Sequence, residues 1–389
     1  MERTVSDTAR LMGRFAAVLT ALVLSVNISA AEPLSLDGFS DAIHHWYNRT
    51  DKLDAPVHPA SDTRAIADNI LLYQRENGGW PENTHPQRLL TEAEKSEIRA
   101  AKSQADASFD NRNIYPQITY LAHAYQRTND ARYRDAALTG LDFVLQSQYN
   151  NGGWPHSPGR ADRPYGDYIT FADEVMPGVL GFLRNVQSGE PPFDFIPDDT
   201  RTAAAQAIVK GDALILQLQI NINGVATIWA GQYHEATLAP VAARSYELPA
   251  LQTWESVAVV EYLMSIPSPS NGVIHAVENA VAWFREHQIP AVRIEEFAIE
   301  PVRFDYHTAT IDRRLVEDAN APGLWARFYD LKTSEPFFTN RDGSRVEALE
   351  DVALERRSGY HWYGTWPQQL IDVHYPQWRE RIGVEHEQH

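Results

Sequence analysis

A five-residue sequence, Asn-Gly-Gly-Trp-Pro, occurs twice in this chain and constrains its fold more than any other feature. It spans residues 77–81 and recurs 74 residues later, at 151–155. Asn223-Gly224, with Trp229 close behind, follows after a similar interval. Asn and Gly tolerate the left-handed conformation that ends a helix, and Pro prevents its continuation. The spacing therefore predicts helical hairpins whose ends return to the same edge of the molecule, so that their loops meet around a common cleft.

The stretches around these copies have helical periodicity. In residues 63–74, for example, Ile66, Ile70 and Leu71 lie on one side of a helix. The same reasoning predicts helices over 63–74, 115–127, 132–148, 175–186, 202–218, 255–264 and 277–287. Residues 189–200 and 291–315 have little periodicity and are predicted to be irregular. We therefore predict a mainly α fold, an α/α toroid or partial barrel of helical hairpins, with irregular loops and short strands around a cleft.

The first 31 residues have the pattern of an export signal. Arg10 and Arg14 precede a short apolar run over 15–26, and small residues at 29–31 suit cleavage. The run is too short to span a bilayer, and no later run approaches that length. We expect residues 1–31 to be a signal peptide, residues 32–389 to form a single catalytic domain, and the protein to be exported to the periplasm or the extracellular medium.

Charge and composition narrow the classes of partner. The formal net charge of −18 argues against nucleic acid, because phosphate binding requires a basic face. It does not exclude an acidic polysaccharide, because a cleft can be basic on an acidic protein and a bound cation changes the local sign. The chain has no cysteine, which excludes disulfides, thiolate metal sites and a cysteine nucleophile. We expect the protein to act as a monomer.

Two acidic stretches each precede a predicted helix. Asp110-Asn111 lies shortly before the helix predicted from residue 115, and Asp173-Glu174 lies directly before the one predicted from residue 175. Residues of this kind cap helices or complement the helix dipole. Taken together, they also supply the oxygen ligands that a hard cation such as Ca²⁺ requires.

Two irregular stretches downstream combine arginines with aromatic residues. Residues 229–255 contain Arg244, and residues 325–343 carry Arg327 and Arg341 near their ends. Loops of this composition carry function more often than packing. For each arginine taken alone, a solvated surface position is the other interpretation.

A series of motifs gives the chain a specific family resemblance. In order they read FDNRNIYPQITYLAHAY, NGGWP, YITFADE, RSYELP followed by ES, LWARFYDLKTSEPFF, RDG and ERRSGYHWYGTWP. In these motifs and their order, over roughly residues 60–370, the chain resembles the family 10 polysaccharide lyases, the pectate lyases with an α/α toroid fold. The resemblance implies calcium-dependent β-elimination on polygalacturonate, the acidic polymer of pectin, to give 4,5-unsaturated oligogalacturonides.

The resemblance also implies roles for the acidic stretches. Asp110 and Asn111 correspond to the family's Asp-Asn pair near the calcium ion and the scissile linkage, which makes Asp110 a catalytic residue and a metal ligand. Asn111 is implied to bind substrate. Asp173 corresponds to an acid that binds Ca²⁺, and we predict Glu174 beside it as a further ligand.

The arginines receive roles in the same way. Arg244 corresponds to the arginine proposed as the base that removes the C5 proton, and Arg327 and Arg341 correspond to arginines that bind substrate carboxylates. A free guanidinium titrates above about 12. Arg244 as base therefore requires a surrounding rich in positive charge, expected from calcium and two neighbouring arginines, or an alkaline optimum. We predict further substrate contacts at Arg112, Trp154 and Tyr246.

The chain departs from the family pattern next to the predicted calcium site. Arg112-Asn113-Ile114 stands where the family usually has Gly-Ala-Thr, and Ala172 stands where it commonly has Asn. Arg112 either adds a carboxylate contact or blocks a subsite. Alternative hypotheses are a lyase for a different or substituted uronate polymer, a degenerate acidic-sugar-binding protein without catalysis, or a glycoside hydrolase on a similar toroid. For a hydrolase no separate pair of acids stands out.

Overall fold

Helices dominate the computed structural model, which describes residues 32–160, 162–305 and 307–383. Within these ranges the α-helices are α1 (Ser40–Thr50), α2 (Thr63–Tyr73), α3 (Glu92–Ala100), α4 (Tyr115–Thr128), α5 (Ala131–Gln146), α6 (Val175–Ser188), α7 (Asp198–Leu218), α8 (Thr253–Ser265), α9 (Asn271–Glu286), α10 (Leu354–Gly359), α11 (Trp366–Gln369) and α12 (Tyr375–Arg381). None of the helices described is long and apolar enough to cross a membrane. The predicted signal peptide lies outside the described residues.

The central helices pack as consecutive antiparallel pairs. Helix α4 packs against α5, α6 against α7 and α8 against α9, while α2 contacts both α4 and α5. Helices α4, α6 and α8 contact one another in turn, and so do α5, α7 and α9. Two rows of helices result, which is the α/α toroid that the sequence predicted. All the predicted helices are present, and the largest difference is at α9, which begins at Asn271 rather than at 277.

Four buried tryptophans occupy equivalent positions in successive repeats. Each follows a helix and donates its indole N–H to a carbonyl of that helix, at 2.7–2.8 Å: Trp80 to Ile70, Trp154 to Val144, Trp229 to Ile215 and Trp325 to Phe284. All four side chains are fully buried. The internal repeat predicted from the sequence is confirmed, and it extends to a further copy at Trp325 that the sequence motif did not indicate.

In each of the first two repeats, a glutamine side chain forms hydrogen bonds to the glycine loop and to the next helix. The side-chain amide of Gln74 donates to Gly78 O and to Ala136 O of α5, both at 2.9 Å. Gln148 makes the matching bonds to Gly152 O and to Ala207 O of α7. A Cβ at either glycine would collide with a carbonyl of the neighbouring helix, and both glycines have positive φ. The Asn-Gly-Gly-Trp-Pro sequence is therefore required by close packing between repeats.

Short strands connect the loops at one edge of the helical layers. They are β1 (Ile169–Thr170), β2 (Asn221–Ile222), β3 (Val225–Ala226), β4 (Gln232–Tyr233), β5 (Leu251–Gln252), β8 (Trp325–Ala326), β9 (Phe328–Tyr329), β10 (Phe338–Thr339), β11 (Arg345–Val346) and β12 (Tyr363–Gly364). Antiparallel pairs β1–β4, β5–β9 and β8–β12 join segments that are distant in sequence. These ladders fix the loops that follow the repeated tryptophans.

One region differs from the prediction. Residues 291–315, expected to be irregular, form most of a long antiparallel hairpin of β6 (Val292–Arg303) and β7 (Thr308–Glu317). The register shifts between Ala298 and Val302, which interrupts the regular pairing part of the way along β6. Because much of the hairpin is also solvent-exposed, its sequence lacks the sustained alternation by which strands are recognised.

Candidate active site

An open cleft collects polar residues from many separate loops. Its cavity volume is about 680 Å³, within the range of ligand sites in proteins. Its lining includes seven of the ten residues predicted from the sequence: Asp110, Asn111, Arg112, Asp173, Glu174, Arg244 and Arg327. The fold therefore brings the two acidic stretches and two of the three distant arginines to one place.

Asp110, His156 and Asp173 form the acidic centre of this cleft. One carboxylate oxygen of each aspartate and one ring nitrogen of the histidine lie within 4.8 Å of one another. The aspartates belong to two short helical turns: Asp110–Arg112 ends two residues before the N-cap of α4, Ile114, and Ala172–Glu174 runs directly into α6. Both turns contain non-glycine residues with φ between 52° and 58°, namely Asn111, Arg112, Asp173 and Glu174. Such conformations are costly, and they are concentrated at functional sites.

The two aspartates differ in their pKa. Burial raises the pKa of Asp173 to about 7, and the nearby Asp110 carboxylate contributes in the same direction. Burial would also raise the pKa of Asp110, but His156 and Arg163 outweigh it and hold that pKa well below its usual range. Water still reaches Asp173 inside the cleft. The nearby Asp110 carboxylate disfavours ionisation of Asp173, and a cation between the two carboxylates would favour it.

The donor set fits calcium through its two carboxylates. Ca²⁺ takes six to eight oxygen ligands, whereas an imidazole nitrogen suits transition metals. Nε2 of His156 lies 3.4 Å from Asp110 Oδ1, and its Nδ1 lies 2.8 Å from Ser157 Oγ. Burial opposes the charged imidazole, yet Asp110 outweighs it and raises the pKa of His156. The residues that would hold the ion are Asp110 and Asp173, with His156 as a charged partner that orients Asp110.

Glu174 does not join this centre, contrary to its predicted role as a ligand. Its Oε1 lies 3.1 Å from Nη2 of Arg112, whose Nε lies 3.2 Å from Asp41 of α1. The left-handed conformation of Asp173 and Glu174 directs the two consecutive carboxylates to different partners. Arg112, predicted to bind substrate, is thus held between two acids at the cleft wall.

Asn111 and Asn113, on either side of Arg112, form hydrogen bonds within the protein. Nδ2 of Asn113 donates to Trp80 O at 2.9 Å and to Ser108 O at 2.7 Å, and the residue is buried. Asn111 lines the cleft and donates to Asn83 Oδ1 at 2.8 Å. Asn113 therefore fastens the Asp110 turn to the repeat, while Asn111 keeps an accessible position beside the acidic centre.

Each cleft arginine is paired with a glutamate. Nε of Arg244 donates to Glu247 Oε2 at 2.7 Å, and a second bond joins the same two groups. Burial would lower the pKa of Arg244, but Glu247 outweighs it and raises that pKa well above its usual value. Nη2 of Arg327 donates to Glu255 Oε1 at 2.5 Å. The nearest charged partner of Arg244 is therefore a carboxylate, and the positive surrounding expected from calcium and two neighbouring arginines stays a prediction.

Aromatic rings fix the orientation of Arg327. Its guanidinium carbon lies 4.7 Å from the ring centres of both Trp254 and Tyr360. The Tyr360 hydroxyl in turn donates to Glu247 Oε1 at 2.9 Å. Since Glu247 also binds Arg244, one network of hydrogen bonds and ring contacts positions both arginines of the cleft.

Arg341 and Tyr246 lie beside the cleft rather than in its lining. Arg341 makes two bonds to Glu355, at 3.0 and 2.6 Å, and Glu355 also binds Arg356. Tyr246 is buried, and the guanidinium carbons of Arg244, Arg341 and Arg356 lie 4.6–5.2 Å from its ring centre. Tyr246 therefore supports arginines instead of offering a face to a sugar, which corrects its predicted role.

Trp154 is the clearest correction. The prediction placed it among the substrate contacts, but the side chain has no exposed surface and its N–H is bonded to Val144 O. It is the core tryptophan of the second repeat, and a sugar ring cannot reach it. The exposed aromatic residue of the cleft is instead Trp254, which stacks on Trp366 at a ring-centre distance of 5.3 Å.

Changing Trp154 to phenylalanine tests this correction. We expect the free energy of unfolding to fall by about 1–3 kcal/mol, because the change leaves the buried Val144 carbonyl without its donor and a void beside α5. Turnover per folded molecule should change by less than about twofold, since the ring does not border the cleft.

Trp80→Phe, at the equivalent position of the first repeat, is the matched control. A selective loss of substrate affinity in the Trp154 variant would restore the original assignment. Urea unfolding and steady-state kinetics supply both values.

The repeat itself identifies cleft residues that the sequence prediction missed. The residue two positions after each repeated tryptophan lines the cleft: Glu82, His156, Gly231 and Arg327. Of these only Arg327 was predicted. The signal was present in the sequence, because Glu82 and His156 directly follow the two Asn-Gly-Gly-Trp-Pro copies. Arg163 was also missed, and its guanidinium binds Glu82 at 2.7 Å and approaches Asp110 to 3.4 Å.

Comparison with known proteins agrees with this architecture. The sequence model of the pectic acid lyase family matches residues 74–371. A solved family 10 polysaccharide lyase from Cellvibrio cellulosa is 29% identical, with a TM-score of 0.67, and the match covers 91% of this chain and 99% of that one. A mutant of a family 10 lyase from the same organism, in complex with trigalacturonic acid, is 28% identical with a TM-score of 0.67, covering 90% of this chain and 100% of that one. Among curated proteins no match was found.

Proposed function

We propose, from the premise that this chain belongs to the pectic acid lyase family, that it is a calcium-dependent pectate lyase acting on polygalacturonate by β-elimination. That it is a polysaccharide lyase follows from the family and its solved relatives. Calcium-dependent elimination on polygalacturonate is supported by one observation: two carboxylates and two arginines lie together in one cleft. Arg244 and Arg327 are close enough to lower the pKa of Asp173 against the effect of burial.

The proposed chemistry starts from the weak acidity of the C5 proton of a galacturonate unit. Charge develops on the adjacent carboxylate as that proton leaves, and cations beside the carboxylate stabilise the charge. Calcium held by Asp110 and Asp173 would supply one such cation. His156 keeps Asp110 ionised and oriented for this task, and Asn111 borders the same point of the cleft.

Arg327 is proposed to bind a substrate carboxylate. Its Nε is buried and has no hydrogen-bond partner among the described residues. Glu255, Trp254 and Tyr360 hold the guanidinium in place, so that little side-chain freedom remains to be lost on binding. The residue lines the cleft, so a substrate carboxylate there can pair with the part of the guanidinium that faces the cleft.

Arg244 is proposed to take the C5 proton. The electron pair of the C5–H bond then forms the 4,5 double bond, and the oxygen at C4 leaves with the other part of the polymer. No water adds to the sugar, so a pair of glycosidase-type carboxylates is not required. Because Glu247 stabilises the protonated guanidinium, we expect the free-base form to be scarce at neutral pH and the reaction to favour alkaline pH.

Product absorbance tests the proposed function. Purified protein, treated with chelator and then given polygalacturonate, should release little product that absorbs in the ultraviolet, and added Ca²⁺ should restore the absorbance. Unsaturated ends absorb, whereas hydrolysis gives reducing ends without absorbance. Reducing ends alone would contradict elimination, and activity that is unchanged by chelator would contradict the calcium requirement. Methyl-esterified pectin in parallel would reveal whether free carboxylates are needed.

A further inference from the structure

One face of helix α1 borders the cleft and has no role in the proposed chemistry. Its residues at positions i, i+3, i+4, i+7 and i+8 all line the cleft: Asp41, His44, His45, Asn48 and Arg49. Every one is polar, so this is a continuous hydrogen-bonding face along one side of a helix. Helix α1 lies before residue 74, where the match to the family begins.

The opposite side of α1 is anchored, which fixes the direction of the polar face. Ala42 is buried, and the rings of Trp46 and Tyr47 pack edge-on against His85 at 5.5 and 5.3 Å. The Tyr47 hydroxyl also lies 3.2 Å from Nε2 of His85. Helix α1 packs against the Asp110 turn as well, so its polar face continues the wall of the acidic centre.

The groups on this face are available for an anionic sugar. Arg49 is 60% exposed, and its Nη2 lies 3.7 Å from Glu82, which is too long for a hydrogen bond. Glu82 is already bound by Arg163, so Arg49 can turn to another carboxylate without leaving a buried acid unpaired. The negative charge of Asp41 is balanced by Arg112 at 3.2 Å.

Two further polar groups, an amide and an imidazole, stand on the same face as Arg49. Nδ2 of Asn48 lies 2.9 Å from Nε2 of His44, and both side chains are exposed. An exposed amide and imidazole provide donors and acceptors for sugar hydroxyls. The face thus combines a guanidinium that can bind a carboxylate with an amide and an imidazole that can bind hydroxyl groups, and a uronic acid unit carries both kinds of group.

We infer that the polar face of α1 is an additional subsite that binds a uronic acid unit of the same polysaccharide chain, further along it than the units at the acidic centre. The inference rests on the proposed function, because it assumes that the cleft holds such a chain. Continuity of the face with the cleft wall makes the occupant an extension of the substrate rather than a separate ligand. Arg49 pairs with its carboxylate, and Asn48 and His44 bond its hydroxyl groups.

Substrates of different length test the subsite. The quantity to measure is kcat/KM for hexagalacturonate divided by kcat/KM for trigalacturonate. This ratio should fall about tenfold in Arg49→Ala, which equals about 1.4 kcal/mol. It should fall several-fold in Asn48→Ala. Arg64→Ala is a matched control, because Arg64 is 59% exposed, has an ion pair of 3.7 Å to Asp130 and does not line the cleft. Its ratio should equal that of the unchanged protein. Circular dichroism and thermal unfolding establish that each variant is folded.

The outcomes separate the subsite from the proposed function. An unchanged ratio in Arg49→Ala, or an equal loss with both substrates, would overturn the subsite. If the unchanged protein forms no unsaturated product, the proposed function fails, and calorimetric titration with the two saturated oligomers then decides the subsite alone. Preferential binding of the hexamer that Arg49→Ala abolishes supports it, and equal affinities for both oligomers refute it.

Discussion

Replacing Arg244 by alanine is expected to lower kcat on polygalacturonate by roughly 10³- to 10⁴-fold, at the upper end of what a general base contributes. The variant loses the proposed proton acceptor and also a cation beside the developing charge. The change should appear mainly in kcat, because Arg327 and the acidic centre remain to bind the substrate. Circular dichroism should be unchanged, since the Arg244 side chain is half-exposed.

The pH dependence distinguishes a base from a fixed cation. Below the pKa of the base, kcat rises tenfold per pH unit as the free-base fraction grows. Because Glu247 raises the pKa of Arg244, the wild-type rate should still be rising at pH 10. Arg244→Lys should retain part of the activity and level off at lower pH, since an amine titrates near 10.4 and a guanidinium above about 12.

Glu247→Gln provides the complementary change. It removes the carboxylate that stabilises protonated Arg244, so the rising limb of the pH profile should move to lower pH. Arg201→Ala is a matched control, because Arg201 also pairs with an acid three residues away, Asp198, but lies outside the cleft. If the wild-type profile is flat from pH 8 to 10 and Arg244→Lys is as inactive as Arg244→Ala, then Arg244 is a fixed cation and another group takes the proton.

The fold was largely predictable because the repeat appears in the sequence as a physical requirement. Gly78 and Gly152 must lie against the carbonyls of the next helix, and Trp80 and Trp154 must close the end of the preceding one. These demands leave few residue choices and so produce a visible motif. The hairpin over 292–317 has no comparable requirement. It is exposed and bulged, and its sequence therefore did not predict strands.

The site was predictable in its charged loops but not in its pairings. Apolar periodicity does not state which way an isolated aromatic side chain points, so Trp154 was assigned to the cleft although it lies in the core. Glu247 and Glu255 stood inside the quoted motifs, three and eleven residues after Arg244. Their role in fixing the arginines depends on side-chain geometry that only the folded chain shows. Predicting His156 would have required knowing that the second residue after each repeated tryptophan lines the cleft.

Replacing Asp173 by asparagine is expected to lower activity at saturating substrate by about 10²- to 10³-fold, an effect of the size seen when one group that stabilises transition-state charge is removed. An amide keeps the shape but not the charge that would hold Ca²⁺. Glu174→Gln is the matched control, because Glu174 pairs with Arg112 outside the acidic centre. It should keep activity within about tenfold. A loss in Glu174→Gln as large as in Asp173→Asn would return Glu174 to the set of ligands.

The same substitution should stabilise the protein without calcium, which separates a metal ligand from a structural residue. The pKa of Asp173 is about 7 in the folded state and 3.8 when unperturbed. Between pH 3.8 and pH 7 the folded state therefore binds more protons than the unfolded state. The free energy of unfolding consequently falls as the pH rises through this range. Asp173→Asn removes that penalty. Because water reaches this carboxyl, we expect a gain of only about 0.5–1 kcal/mol at pH 8 and almost none at pH 4.

Calcium should reverse the order of stability, so that the wild type becomes more stable than Asp173→Asn. At 100 times its Kd the ion adds about 2.7 kcal/mol to whichever protein binds it. Thermal unfolding at pH 8 should therefore show a large increase in Tm with Ca²⁺ for the wild type and for Glu174→Gln, and little increase for Asp173→Asn. An equal increase in all three would mean that Asp173 holds no calcium. The raised pKa of its carboxyl would then reflect only its burial and its closeness to Asp110, and the cation that balances the acidic centre would be the charged imidazole of His156.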